Sequence, residues 1–123
     1  MTLKIAGLSS GEGDVLLSLH DKSERRVIDA ELSVVLSDRD APVLDAAKDA
    51  ELDAKRIERE GDKREHEQHI ADAIRDAEAD LVALDGYMPI LSDDFLEEFG
   101  GSVISSHPSL LPSFNTTDPW NAA

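Results

Sequence analysis

A chain of 123 residues with 41% hydrophobic side chains suffices for one compact domain, spanning residues 1–123, around a single core. It contains no cysteine, which excludes disulfides and thiolate metal sites, and its four histidines show no ligand-spaced cluster, so no metal is expected. Against 12 basic residues stand 27 acidic ones, a net charge of -15 that repels nucleic acid and anionic membrane alike, and no segment offers the roughly 20 apolar residues that span a bilayer.

The first apolar run, Leu3 to Leu8, reads as a strand and passes at once into the glycine loop Ser9-Ser10-Gly11-Glu12-Gly13-Asp14. Val15, Leu16, Leu17 and Leu19 supply the apolar face of a short helix that His20 ends as a dipole-complementing cap, and Ser23 to Arg26 reads as a polar connection. A second strand is expected at Ala30 to Leu36. Asp40-Ala41-Pro42 then reads as an N-cap with proline in the first turn, opening a helix through Val43, Leu44, Ala46, Ala47 and Ala50. A brief third strand follows near Ala54 to Ile57.

From Asp62 to Glu78 the residues are strongly charged, with Ile70, Ala73, Ile74 and Ala77 on one face, the pattern of a surface helix over a sheet. His66 and His69 on that helix are expected to be solvated, and Arg64 to pair with Glu60 or Glu67 at helical spacing. Asp80 to Leu84 has the composition of a strand buried on both faces, ended by Gly86. Ser92-Asp93-Asp94 caps a short helix carrying Phe95, Leu96 and Phe99, stopped by Gly100-Gly101. Val103-Ile104 is the last strand.

This β-α-β-α order predicts an α/β fold with right-handed crossovers and a doubly wound, mostly parallel sheet. Open sheets of that kind bind ligands beyond the carboxyl ends of their strands. Three loops should meet there: Ser9 to Asp14, Asp85 to Leu91, and Ser105 to Pro112, which carries His107. An imidazole suits general acid work or the stabilisation of an oxyanion, and equally a structural bond to a nearby carbonyl. The glycine loop could present main-chain N–H groups to a phosphate or simply turn the chain, since it lacks the G-x-G-x-x-G spacing of a dinucleotide site. Asp85-Gly86-Tyr87-Met88-Pro89-Ile90-Leu91 suits a flat aromatic ligand held by backbone groups, or core packing, or both.

Three segments together resemble the folate-dependent formyltransferase family: the first strand with its Ser-Gly loop, the run Gly86-Tyr87-Met88-Pro89-Ile90-Leu91-Ser92, and His107-Pro108-Ser109-Leu110-Leu111-Pro112-Ser113-Phe114. The resemblance implies a Rossmann-like formyltransferase domain that moves a formyl group from the co-substrate 10-formyltetrahydrofolate to the amine of glycinamide ribonucleotide, in purine synthesis. It places His107 and Ser105 in the catalytic centre, Glu12, Gly13 and Asp14 against the ribonucleotide phosphate, and Arg64, Met88, Pro89, Ile90, Leu91 and Ser105 against the folate. Ser105 stands where the family has an asparagine that bonds the formyl oxygen, Pro89 where arginine is common, and Asp14 where asparagine is usual. The family's catalytic aspartate and its remaining substrate contacts fall downstream of Ala123, so the expected sheet is a truncated one.

Other readings are a methionyl-tRNA formyltransferase, which the acidic surface disfavours, a formyltetrahydrofolate hydrolase, a non-catalytic nucleotide- or folate-binding module, and a degenerate fragment. The partner expected is a small molecule, with the chain either self-associating or complemented by a carboxyl-terminal half. With no long apolar stretch behind a basic start and no candidate span, a cytoplasmic location is expected. The acidic surface further implies a halophilic, high-salt cytoplasm, because salt screens carboxylate self-repulsion. Melting temperature should therefore rise between low and molar KCl, and a flat profile would contradict the idea.

Overall fold

The computed structural model describes residues 2–58, 61–87, 89, 91–99 and 102–105. Its elements run β1 (Leu3–Leu8), α1 (Asp14–Glu24), β2 (Ala30–Ser37), α2 (Pro42–Asp49), β3 (Ala54–Arg56), α3 (Lys63–Asp76), β4 (Leu81–Leu84), α4 (Asp93–Glu98) and β5 (Val103–Ser105). The five strands form one sheet in the order β3-β2-β1-β4-β5, every neighbouring pair parallel. The expected α/β, doubly wound Rossmann-like sheet is the one observed.

Helices cover both faces. On one, Leu8, Leu36, Val82 and Leu84 pack beneath Ile70 and Ile74 of α3 and Phe95 of α4; on the other, Ile5, Val35 and Ala83 pack with Leu16 of α1 and with Val43, Leu44 and Ala47 of α2. Gly7 lets α1 approach β1 closely, since a Cβ there would lie 2.8 Å from both methyl carbons of Leu16. A register shift between β1 and β2 pairs Ile5 with Leu32 but Ala6 with Val34, leaving Ser33 as an extra residue. That bulge explains why Leu32 and Val34, two apart, serve opposite faces.

Four local expectations need correction. The residue at the N-cap of α2 is Ala41, not Asp40, with Pro42 inside the first turn, so proline geometry rather than a capping carboxylate starts this helix. His20 does not end α1: the helix runs on to Glu24, leaving His20 within its body, 3.9 Å from the Glu24 carboxylate, and Lys22 as the last-turn cation. Of the apolar face expected there, Leu16 is buried but Val15 is 55% exposed. His66 is buried rather than solvated, because counting back four residues from Ile70 puts it on the inner stripe of α3. Its Nε2 lies 2.9 Å from the Ile57 carbonyl, which can only accept, so that nitrogen carries the proton.

The N-cap of α4 is as expected, with Ser92 accepting from the Phe95 N–H, and α3 is capped by Asp62, which accepts from the Glu65 N–H. Gly100 and Gly101 lie outside the described residues. No helix among the described residues is long and apolar enough to cross a membrane.

Candidate functional site

The sheet order fixes where a site can form. After β3 the chain crosses over β2 and β1 to lay down β4 on the far side of β1, so the loops leaving β1 and β4 diverge to opposite faces and open a crevice between them. Register aligns Leu36, Leu8, Leu84 and Ser105 in one row across β2, β1, β4 and β5. Ser105 therefore stands at the carboxyl edge, level with the start of both crevice loops.

Those loops are stitched together. The Asp85 N–H donates to the Leu8 carbonyl at 2.9 Å and the Ser10 N–H to the Gly86 carbonyl at 3.2 Å. Asp85 also reaches across to accept the Val15 N–H at 2.9 Å, placing a carboxylate on the first turn of α1 where the helix field favours negative charge. Gly13 precedes that turn in the left-handed region, at φ 66°, with no side-chain cap of its own. Asp14 belongs to the same turn and is exposed, as is Glu12, while Gly13 is buried.

The β1 loop is anchored on its other side by β2 and α2. Ser10 Oγ donates to Asp38 Oδ1 at 2.5 Å, Arg39 holds Asp38 Oδ2 through Nε and Nη2 at 3.1 and 2.8 Å, and the Val43 N–H donates to the Gly11 carbonyl at 3.0 Å. Burial alone would push the Asp38 carboxyl up, but the bonds from Arg39 and Ser10 outweigh it and hold the group below the usual carboxylate range. Tyr87, in the β4 loop, is buried, and burial together with the negative charges of Asp38 and Glu67 pushes its phenol far above the ordinary value. It stays a neutral packing residue, so the β4 loop is core on one side, as are Tyr87 and Leu91, and crevice on the other.

The far end of the β4 loop is held from α3. Glu67 Oε2 accepts the Ser92 N–H at 2.7 Å and Oε1 accepts the Ser92 hydroxyl at 2.5 Å, while that hydroxyl accepts the Phe95 N–H at 3.2 Å. The Arg64–Glu67 ion pair expected from helical spacing does not form, because Glu67 spends its carboxylate on Ser92. Glu60, the other expected partner, lies outside the described residues. Arg64 is exposed and, with Lys63, Glu67, Ser92, Asp94 and Glu98, lines an open cavity of about 540 Å³ between α3 and α4.

Of the site residues expected from sequence, Glu12, Gly13, Asp14 and Leu91 fall in the two stitched loops, Ser105 at the sheet edge beside them, and Pro89 half-buried in the β4 loop. Met88, Ile90 and His107 lie outside the described residues. Asp85, Asp38 and Glu67 were not singled out from sequence as site residues. Asp85 could have been found as a carboxylate directly after a strand, but Asp38 and Glu67 act through partners 28 and 25 residues away, which no local pattern announces. Among the described residues no group of three or more His, Asp or Glu is arranged to hold a metal ion.

Residues 3–123 match the family model described as formyl transferase. The chain is 35% identical over 123 residues to phosphoribosylglycinamide formyltransferase of Haemophilus influenzae, covering 98% of this chain and 58% of that protein. It is 31% identical over 118 residues to the enzyme of the same name from Bacillus subtilis, covering 94% and 60%. Among solved structures, glycinamide ribonucleotide transformylase 1 from Symbiobacterium toebii superposes with a TM-score of 0.82 at 30% identity, over 96% of this chain and 57% of that one. The chain thus spans somewhat over half the length of these three relatives.

Proposed function

The chain belongs to the formyl transferase family, and from that premise we propose that it serves formyl transfer from 10-formyltetrahydrofolate to the amine of glycinamide ribonucleotide. What supports the reading is the convergence of the Ser9 to Asp14 and Asp85 to Leu91 loops at the switch point with Ser105 in register beside them. These are segments that carry the resemblance.

In this reading the β1 loop receives the nucleotide phosphate at Glu12, Gly13 and Asp14. Their two carboxylates oppose it, so binding rests on main-chain donors. The β4 loop, with Met88, Pro89, Ile90 and Leu91, holds the folate through peptide groups, helped by Arg64. Pro89 has no N–H to give. As the amine attacks the formyl carbon, negative charge grows on the formyl oxygen, where His107 acts as acid or cation and the Ser105 hydroxyl offers one donor. A positioned oxyanion donor is worth on the order of 10²–10³ in rate, so serine at 105 should make a slower catalyst than a longer, better-reaching amide would.

We read residues 1–123 as one domain of a cytoplasmic enzyme acting on small molecules, with neither nucleic acid nor membrane as partner. Ile104 is 50% exposed on β5, the outermost strand on its side of the sheet among the described residues, so self-association through that edge is expected. A clean monomer by light scattering would contradict this.

The functional reading is tested by incubating the chain, alone and fused to the remaining length of the Haemophilus influenzae enzyme, with both substrates. Formylated nucleotide should appear. Formate release indifferent to the nucleotide would instead mark hydrolysis, and no consumption of the folate by either form would contradict the reading.

A further inference from the structure

The β4 loop is fixed very unequally at its two ends. At Asp85 and Gly86 three hydrogen bonds tie it to β1, the β1 loop and the first turn of α1. At the other end Ser92 is bound by a side chain from a different layer, the Glu67 carboxylate of α3, which takes both of its donors at 2.7 and 2.5 Å. Tyr87 and Leu91, buried at 4% and 2% exposure, turn their side chains into the core between these ends. Its described apolar side chains are thus taken up by the core, and the position of its last residue, Ser92, is set by Glu67.

Glu67 has an alternative partner three residues earlier on its own helix. Arg64 stands at the spacing that favours an ion pair, yet Glu67 is committed to Ser92 and leaves the Arg64 guanidinium facing the cavity that both residues line. The same carboxylate thereby does two things: it holds the end of the loop and keeps a cation available beside it. Bonds to a charged acceptor are the stronger kind, and both of these are short.

We propose that Glu67 is a positioning residue for ligand binding by the β4 loop, acting through Ser92 and by leaving Arg64 uncommitted, so that its removal weakens the planar, anionic folate and spares the nucleotide. The inference rests on reading the β4 loop as the folate loop. It assigns Glu67 a role through other residues rather than contact with the ligand.

The test compares wild type, Glu67→Gln and Glu67→Ala by titration with a non-hydrolysable formylfolate analogue and, separately, with glycinamide ribonucleotide, alongside thermal melts. Glu67→Ala should weaken the folate analogue by about tenfold or more while nucleotide affinity stays within about twofold. Glu67→Gln should fall between, because its carbonyl oxygen can accept one of the two Ser92 donors but its amide nitrogen none. Should the alanine variant not fold, the glutamine variant carries the comparison. Unchanged folate affinity in variants of a wild type that binds overturns the role of Glu67 alone, as does equal weakening of both ligands in step with the melting temperature. Failure of the wild type to bind the folate analogue overturns the folate reading of the loop, and the inference with it.

Discussion

Gly13→Ala is expected to destabilise the domain by about 2–5 kcal/mol, a large share of the 5–15 kcal/mol that holds a domain together. Gly13 sits at φ 66°, where a Cβ costs roughly 1–2 kcal/mol against the following carbonyl. That Cβ would also lie 2.3 Å from Val43 Cγ2 and 3.0 Å from Val43 Cβ. Val43 cannot give way easily, being fully buried in the first turn of α2 with its N–H bonded to the Gly11 carbonyl. Overpacking of such a core position typically costs a further 1–3 kcal/mol. Gly11→Ala is the matched control: a Cβ there meets nothing within 4 Å, so its effect should stay within about 0.5 kcal/mol. Urea midpoints of the two variants decide the matter, and equal midpoints would show that the β1 loop is not wedged against α2.

His107→Ala should lower the rate of formyl transfer by on the order of 10²–10⁴, the usual worth of a positioned acid or base, while leaving the dissociation constants of both substrates near those of the unsubstituted protein. His107 follows Ser105, the last residue of β5, by two positions in the sequence. Single-turnover kinetics with the fused form separate the two effects. A loss carried wholly by weaker binding, with the chemical step unchanged, would make His107 a ligand-holding or structural residue.

The parallel, doubly wound sheet and the helix placement were legible in the sequence because they rest on apolar runs and on caps such as Ser92, which are local signals. The crevice between the β1 and β4 loops followed from topology alone. What the sequence left hidden acts at a distance. The Ser33 bulge depends on how β2 registers against β1, and nothing in the run Ala30 to Leu36 marks it. The burial of His66 was readable in principle from the inner stripe of α3, but the charged neighbours Glu65 and Glu67 disguised it. Arg64 and Glu67 had the spacing of an ion pair, and the pair loses because Ser92, 25 residues further on, offers Glu67 two donors at once. Three positions of the expected site, Met88, Ile90 and His107, stand on the resemblance, outside the residues that the fold describes.

The central claim is that ligands bind at the carboxyl edge of the sheet, between the β1 and β4 loops. Amide chemical-shift mapping of the ¹⁵N-labelled chain, titrated with glycinamide ribonucleotide and then with a formylfolate analogue, tests it most directly. The nucleotide should shift Ser10 to Val15, and the folate analogue Asp85 to Ser92 together with Arg64 and Ser105. Saturable shifts centred instead on the opposite edge, at Arg26 to Asp29, or no shifts at millimolar ligand, would contradict it.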